Sequence, residues 1–483
     1  MEVNQVVLTR TIKLFQERKI LLPTFEQMRH PESVPAKVKQ RLAQTGLWDV
    51  DPINLFRITW KNEPVETGGL FNQGNWIEFP PALTGADARI IGLVGRYFPT
   101  GAHKVGAAYG CLIPRLITGQ FDPTTQKAVW PSTGNYCRGG AFDSALLGCT
   151  AIAILPEEMS RERFTWLKEI GAEVIATPGC ESNVKEIYDK CWEIRETRPE
   201  CVIFNQFEEF GNASWHYHVT GRMIEELFER IGGAGRLAGY VSATGSAGTI
   251  AAGDYLRTKY PHVRVGAAEA RQCPSLYQLG FGGHRIEGIG DKHVPWIHNV
   301  RNTDAVIAID DEQCMSLMRL FNEPAGQQLL ERDITGELVS QLPNLGISSI
   351  CNLIAAIKLS KYYDMEQRDT IFVPLTDSMD LYASRLEEVT VEKGGYTSLQ
   401  AATDRARYLD GIEIDHLREL SYQDRKALHN FKYFTWVEQQ GRTVEELREL
   451  WRPEFWENTF AESSTWDERI DQFNQRTNVL EML

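Results

Sequence analysis

Lys104 is the residue with the clearest chemical opportunity in this sequence. It ends the segment Pro99-Thr100-Gly101-Ala102-His103-Lys104. A strand-length apolar run precedes it at 90–94, and a helix-like stretch follows at 105–112. A strand-to-helix turn holds a side chain at the carboxyl edge of a sheet, where open α/β folds bind ligands. An amine held there can form a Schiff base with an aldehyde cofactor. The plainer alternative is a lysine that begins a surface helix. A phosphate-binding Walker loop is excluded, because no Ser or Thr follows the lysine and the glycine spacing differs. His103 beside it suits either a base or a structural role.

Two glycine-containing loops accompany the lysine. Ser132-Thr133-Gly134-Asn135 leads into a helix expected to run to residue 147. Free amides at a helix start, together with Ser, Thr and Asn side chains, bind a carboxylate well. The same residue types also cap ordinary helices. Thr244-Gly245-Ser246-Ala247-Gly248-Thr249 follows an apolar run at 237–241 and opens a helix at 250–255. Small residues there let the backbone approach a phosphate, and the helix dipole favours its charge. Gly233 and Gly235 stand before that strand, so they fail the context of a dinucleotide fingerprint. His216 and His218 fall on different helix faces, and there is neither an H-E-x-x-H nor a C-x-x-C pair. No metal site is expected.

The elements that position these residues are legible as rhythm. Apolar runs recur at 90–94, 151–155, 174–176, 202–204, 237–241, 263–267, 305–309 and 371–375. Most gaps between them are long enough for a helix, as at 161–170, where Phe164, Leu167 and Ile170 share a face. Strand, helix, strand in succession predicts parallel sheets covered on both faces. Residues 1–60 read as a polar helical extension broken by Pro23, Pro31 and Pro35. Residues 61–385 read as the α/β core. Residues 386–483 read as a second helical extension, with a capping box at Thr443 and Glu446 and with Trp436, Trp451, Trp456 and Trp466. Tryptophans are costly to expose, so this tail should pack on the core.

The composition is that of an ordinary globular protein, 42% hydrophobic and 24% charged. A net charge of -14 repels phosphate backbones and argues against nucleic acid as a partner. No apolar run approaches the roughly 18 residues that span a bilayer, and the first residues lack an uninterrupted apolar signal core. The 9 cysteines are scattered and read as buried thiols of a reducing cytoplasm.

Taken together and in order, these segments resemble the fold type II enzymes that depend on pyridoxal 5'-phosphate (PLP), above all the cysteine synthase and cystathionine β-synthase branch. The resemblance runs from just before Arg89 to Arg385. The Gly-Ala-His-Lys wording at 101–104 is also like the tryptophan synthase β chain. Further matching segments are Asn205-Gln206-Phe207 with Asn212, Thr220 and Gly221; His284 to Gly290 with Pro295; the run 305–310; Gly346 to Ser349; and Asp377-Ser378 with Tyr382. The resemblance implies two parallel-sheet subdomains with the PLP site between them, flanked by the helical extensions. It implies a homodimer that acts on a small amino acid.

The resemblance also assigns roles. Lys104 holds PLP and, once freed, takes the α-proton. Asn135 meets the ring oxygen, Thr244 to Thr249 cradle the phosphate, and Ser378 faces the pyridine nitrogen. Ser132, Thr133, Gly134, Asn135 and Gln206 hold the substrate carboxylate. A neutral hydroxyl at the ring nitrogen weakens the electron sink and favours prompt loss of a β-substituent. The implied reaction is β-replacement or β-elimination on a β-substituted L-serine-type amino acid, through an aminoacrylate. Ser/Thr dehydration, cysteine β-lysis and a non-catalytic PLP-binding protein are the alternatives. The sequence departs from the family at Tyr136-Cys137-Arg138, where small residues are usual, and at an insertion near 323–342. Arg138 falls in the first turn of a helix, where a cation opposes the dipole. It is expected either to bind an extra negative charge on the substrate or to reach a nearby acid.

Overall fold

Every apolar run read as a strand forms one, and three further strands complete two sheets. The computed structural model describes residues 3–132 and 134–483. Its strands are β1 (Trp76–Phe79), β2 (Arg89–Val94), β3 (Lys127–Pro131), β4 (Ala151–Pro156), β5 (Glu173–Thr177), β6 (Cys201–Ile203), β7 (Arg236–Ala243), β8 (Arg264–Ala270), β9 (Ala305–Ile309), β10 (Asp369–Leu375) and β11 (Leu417–Glu419). The larger sheet has the order β1-β2-β10-β7-β8-β9-β11, and the smaller β5-β4-β3-β6. The smaller sheet is parallel throughout. The larger is parallel except at its edges, where β1 runs antiparallel to β2 and β11 antiparallel to β9. Central strands β9 and β10 are buried along their whole length, as parallel strands with helices on both faces must be.

The chain leaves the larger sheet after β2, builds the smaller sheet, and returns at β7. The two α/β units are therefore interleaved, and the crossings between them bring loops from both sheets to one place. The helix Lys104–Ile117 makes the first crossing and packs against the helix Asn135–Leu147. Their close approach depends on Gly139, since a Cβ there would stand 2.7 Å from the Val105 Cα.

The terminal segments pack on each other and on the core. Phe15 meets Phe473 edge to face at 5.1 Å. Leu22 N donates to Asn474 Oδ1 at 3.1 Å, and Asn474 Nδ2 returns a bond to the Leu22 carbonyl at 2.8 Å. Trp436 is buried and donates to the Val294 carbonyl at 2.8 Å. Lys432 Nζ donates to the carbonyls of Trp296 and His298 at 2.8 and 2.7 Å. The tail is not wholly helical as read from sequence: β11 closes the edge of the larger sheet. The capping box at Thr443 and Glu446 is present. All nine cysteines are unpaired. Among the described residues no single helix is long and apolar enough to cross a membrane, and no cluster suited to a metal ion occurs.

Candidate active site

The turn between β2 and the helix Lys104–Ile117 is fixed by β10. Gly95 N donates to the Leu375 carbonyl at 2.8 Å, and a Cβ at Gly95 would stand 2.5 Å from the Thr376 carbonyl. His103 N donates to that same Thr376 carbonyl at 3.3 Å. Lys104 therefore starts its helix from a pinned backbone. Its Nζ donates to Ser246 Oγ at 3.1 Å and to Gln206 Oε1 at 3.5 Å. Burial pushes the Lys104 amine down to about 8, against the pull of Asp291, Cys111 and Glu181. Burial and the neighbouring Lys104 charge bring His103 down to about 3, so its imidazole is neutral at physiological pH.

The loops from the smaller sheet meet this lysine. Ser132, at the end of β3, accepts from Gly134 N at 3.0 Å and from Gln206 Nε2 at 3.3 Å. Gln206 lies just after β6, and its carbonyl is held by Asn212 Nδ2 at 3.0 Å. Asn212 Nδ2 also reaches Ser246 Oγ at 3.0 Å. A closed set of hydrogen bonds thus joins Lys104, Gln206, Ser132, Ser246 and Asn212. Asn135 Nδ2 donates to Asp377 Oδ2 at 2.6 Å, while its buried Oδ1 has no partner. Gly134 sits at φ +154, where a Cβ would stand 2.4 Å from Arg163 Nε.

The loop after β7 approaches from the larger sheet. Thr244 is tied back to the Ala268 carbonyl through N and Oγ1, at 2.8 and 3.2 Å. Ala247 adopts the left-handed region at φ 63. A Cβ on Gly245 would stand 2.7 Å from the Gly288 carbonyl, and one on Gly248 would stand 2.0 Å from Asn212 Oδ1. The helix Ile250–Lys259 follows and turns its N-terminal end to this loop.

One cleft collects most of the residues singled out from the sequence. Lys104, Ser132, Asn135, Gln206, Gly245, Ser246, Ala247 and Thr249 all line it. Thr244 and Gly248 belong to the same loop but do not line the cleft. Thr133 lies outside the described residues. The donor set fits the cofactor that the resemblance implies: a buried amine of lowered pKa, a loop without bulky Cβ groups at a helix start, and an unpartnered Asn135 oxygen.

Gly134, Ser378 and Arg138, all expected at the site, are not on the cleft wall either. Ser378 is buried, and its Oγ accepts from Asp380 N at 3.4 Å, capping a short turn. Thr376, two residues earlier, lines the cleft instead and places its Oγ1 3.3 Å from His103 Nε2. Arg138 neither reaches an acid nor lines the cleft. Its buried guanidinium lies over Trp166 at 4.8 Å and Trp48 at 5.7 Å, with Nε and Nη1 unpartnered. Burial and the charge of Arg163 lower it to about 10. The tryptophan faces replace the anion that the dipole argument called for.

The sequence reading missed Thr376 and Asp291, both on the cleft wall. Each adjoins a matched segment, Asp377-Ser378 in one case and His284 to Gly290 in the other, so their positions were available. It also missed Arg163, which is buried and joins the two α/β units. Arg163 pairs with Glu287, donates to Tyr382 Oη at 3.0 Å, and stands 4.0 Å from Asp377.

Comparison with known proteins places this geometry in context. The model of the pyridoxal-phosphate dependent enzyme family matches residues 96–329. A probable cysteine synthase of Bacillus subtilis is 32% identical over 222 residues, which cover 46% of this chain and 70% of the relative. A cysteine synthase of Staphylococcus aureus is 31% identical over 231 residues, covering 47% of this chain and 72% of the relative. Among solved structures, a hydrogen sulfide-producing enzyme of Fusobacterium nucleatum shares the fold. Its TM-score is 0.55 at 21% identity, over 64% of this chain and 96% of that one.

Proposed function

The chain belongs to the pyridoxal-phosphate dependent enzymes, in the branch of the cysteine synthases, and from that premise we propose that it carries out β-replacement or β-elimination on a β-substituted L-serine-type amino acid by way of an aminoacrylate. The observation that carries the reading is the Lys104 amine, buried, lowered to about 8, and hydrogen-bonded to Ser246 and Gln206. Bound PLP supplies an aldehyde for that amine and a ring that draws electron density from the substrate.

The residues of the chain do the rest. Gly245 to Thr249 hold the phosphate with backbone amides at the helix start. Ser132, Thr133, Gly134, Asn135 and Gln206 would orient the substrate carboxylate, and Asn135 would also help to hold the cofactor. Lys104 would hold the cofactor, and its free amine would move the α-proton. An amine near pKa 8 is close to the operating pH, which is where a general base works best. The loop 376–378 would offer the ring a neutral hydroxyl from Thr376 at the wall, while Ser378, which the resemblance implies for this role, stands off the wall in this structure. Hydroxyls do not enforce a charged pyridine nitrogen, so the β-substituent leaves promptly.

The same reading makes the protein a cytoplasmic homodimer with free thiols. Leu279 and Phe281 are 47% and 79% exposed, and a partner copy would cover such apolar surface. The test is a spectral screen of purified holoprotein against serine, O-acetylserine, O-phosphoserine and cysteine, followed by product analysis. A change in cofactor absorbance with at least one of them is expected, and an amino-acid product separates replacement from a keto-acid elimination. No spectral response to any of the four would overturn the reading.

A further inference from the structure

Asp291 is the most conspicuous charge-bearing group that the mechanism above leaves idle. It lines the same cleft as Lys104. Its side chain is buried, at 4% exposure, and neither carboxyl oxygen has a hydrogen-bond partner. A buried polar group left unpartnered costs stability and asks for a reason. The backbone is built to keep it there. Gly290 takes a left-handed φ of +80, its N donates to the Thr244 carbonyl at 2.9 Å, and its carbonyl is 2.9 Å from His284 Nε2. Ser275 Oγ then donates to the Asp291 carbonyl at 2.6 Å. The backbone on both sides of the Asp291 Cα is thus fastened, while neither carboxyl oxygen has a partner.

Its surroundings favour the neutral acid. Burial and the charge of Glu181 push the Asp291 carboxyl well up, and only Lys104 opposes them. Tyr188 and Cys273 are the other titratable groups that feel Asp291, and neither supplies a cation. A neutral carboxylic acid on the cleft wall is a proton donor in waiting.

We infer that Asp291 is the acid that protonates the departing β-substituent, which assigns the enzyme a substrate with a protic leaving group, a thiol or a hydroxyl. This inference rests on the β-chemistry proposed above. As the Cβ–S or Cβ–O bond breaks, its electron pair passes to sulfur or oxygen. That atom takes the Asp291 proton and leaves as hydrogen sulfide or water. In the replacement direction a thiol or water gives its proton to the Asp291 carboxylate while it bonds to Cβ. Acetate and phosphate leave as stable anions and need no such proton, so an acid at this position serves cysteine or serine rather than their acylated or phosphorylated forms.

The test uses holoenzyme and the Asp291→Asn variant, which keeps shape and loses the acid. Release of sulfide from L-cysteine is compared with release of chloride from β-chloro-L-alanine, because chloride departs unprotonated. The variant should lose about a hundredfold or more in kcat/KM on cysteine, and less than about tenfold on β-chloroalanine. Retained chloride release also certifies that the variant folds and holds its cofactor. A second readout needs no turnover: the infrared difference between parent and variant at neutral pH should contain a protonated-carboxyl band. Equal losses on both substrates, no loss on cysteine, or the absence of that band would overturn the inference while leaving the proposed β-chemistry intact. A parent enzyme that acts on neither substrate would sink that β-chemistry, and the inference with it.

Discussion

Lys104 illustrates how a single buried side chain trades stability for reactivity. In the folded chain its amine loses its proton near 8, against an ordinary value of 10.5. Between those values the unfolded chain binds more protons than the folded one, so the lysine's contribution to stability rises with pH through that window. Below about 8 the charged amine is held at a cost on the order of 3 kcal/mol. Cofactor-free Lys104→Met should therefore be more stable than the parent at pH 7, by about that amount, and the gap should close as pH rises from 8 toward 10.5. Urea unfolding at several pH values measures this. A gap that stays constant with pH would show that the lysine is not buried as a charge. Burial lowers the Arg138 pKa as it does that of Lys104, but Arg138 differs in its packing. Its guanidinium rests on Trp166 and Trp48, so Arg138→Ala should lower stability by about 1–2 kcal/mol. The ratio of kcat/KM for O-phosphoserine over O-acetylserine should stay unchanged. A tenfold fall in that ratio would return Arg138 to the substrate site.

Trp436 shows what the tail contributes as an element. It packs in one cluster with Tyr188, Phe207, Trp296 and Trp456, and hydrogen-bonds Val294, three residues beyond Asp291. Trp436→Ala should cost about 3–5 kcal/mol by leaving a cavity there. Calorimetric melting of the full chain would read it, and a loss below 1 kcal/mol would mean the tail is only loosely attached. Elements of this kind differ in how plainly the sequence announces them. The strands with apolar runs, such as β9 and β10, are buried on both faces, and burial leaves an unbroken hydrophobic signature. β11 carries Arg418 and Glu419 on an exposed sheet edge, where charge is normal and the signature disappears. β3 does carry an apolar run, Ala128-Val129-Trp130, as long as that of β6, and was passed over although its signal was there. The site divides in the same way. Lys104, Ser132 and Ser246 sit at or just beyond strand ends, and local pattern finds them. Thr376 and Asp291 reach the cleft only because β10 and the segment 284–291 fold back beside Lys104, and that approach is tertiary. The surroundings of Arg138 are tertiary for the same reason: its tryptophan partners lie at 48 and 166, far away along the chain.

At the scale of the whole molecule, two interleaved α/β units converge on one lysine, and two terminal extensions pack outside them. The smaller unit brings Ser132, Asn135 and Gln206, the larger brings Ser246, Thr376 and Asp291, and the crossing helix brings Lys104. Arg163 ties the units together beneath the cleft through Glu287 and Tyr382. The termini lie outside the cleft but clasp each other through Phe15, Phe473 and the reciprocal Leu22–Asn474 bonds. On the proposed reading, the amine that meets the aldehyde cofactor is that of Lys104. Borohydride reduction of the holoprotein, followed by peptide mapping by mass spectrometry, tests that assignment directly. The account predicts a phosphopyridoxyl group fixed on Lys104, and none in a Lys104→Ala variant. A modified lysine elsewhere in the parent, with Lys104 unmodified, would contradict it.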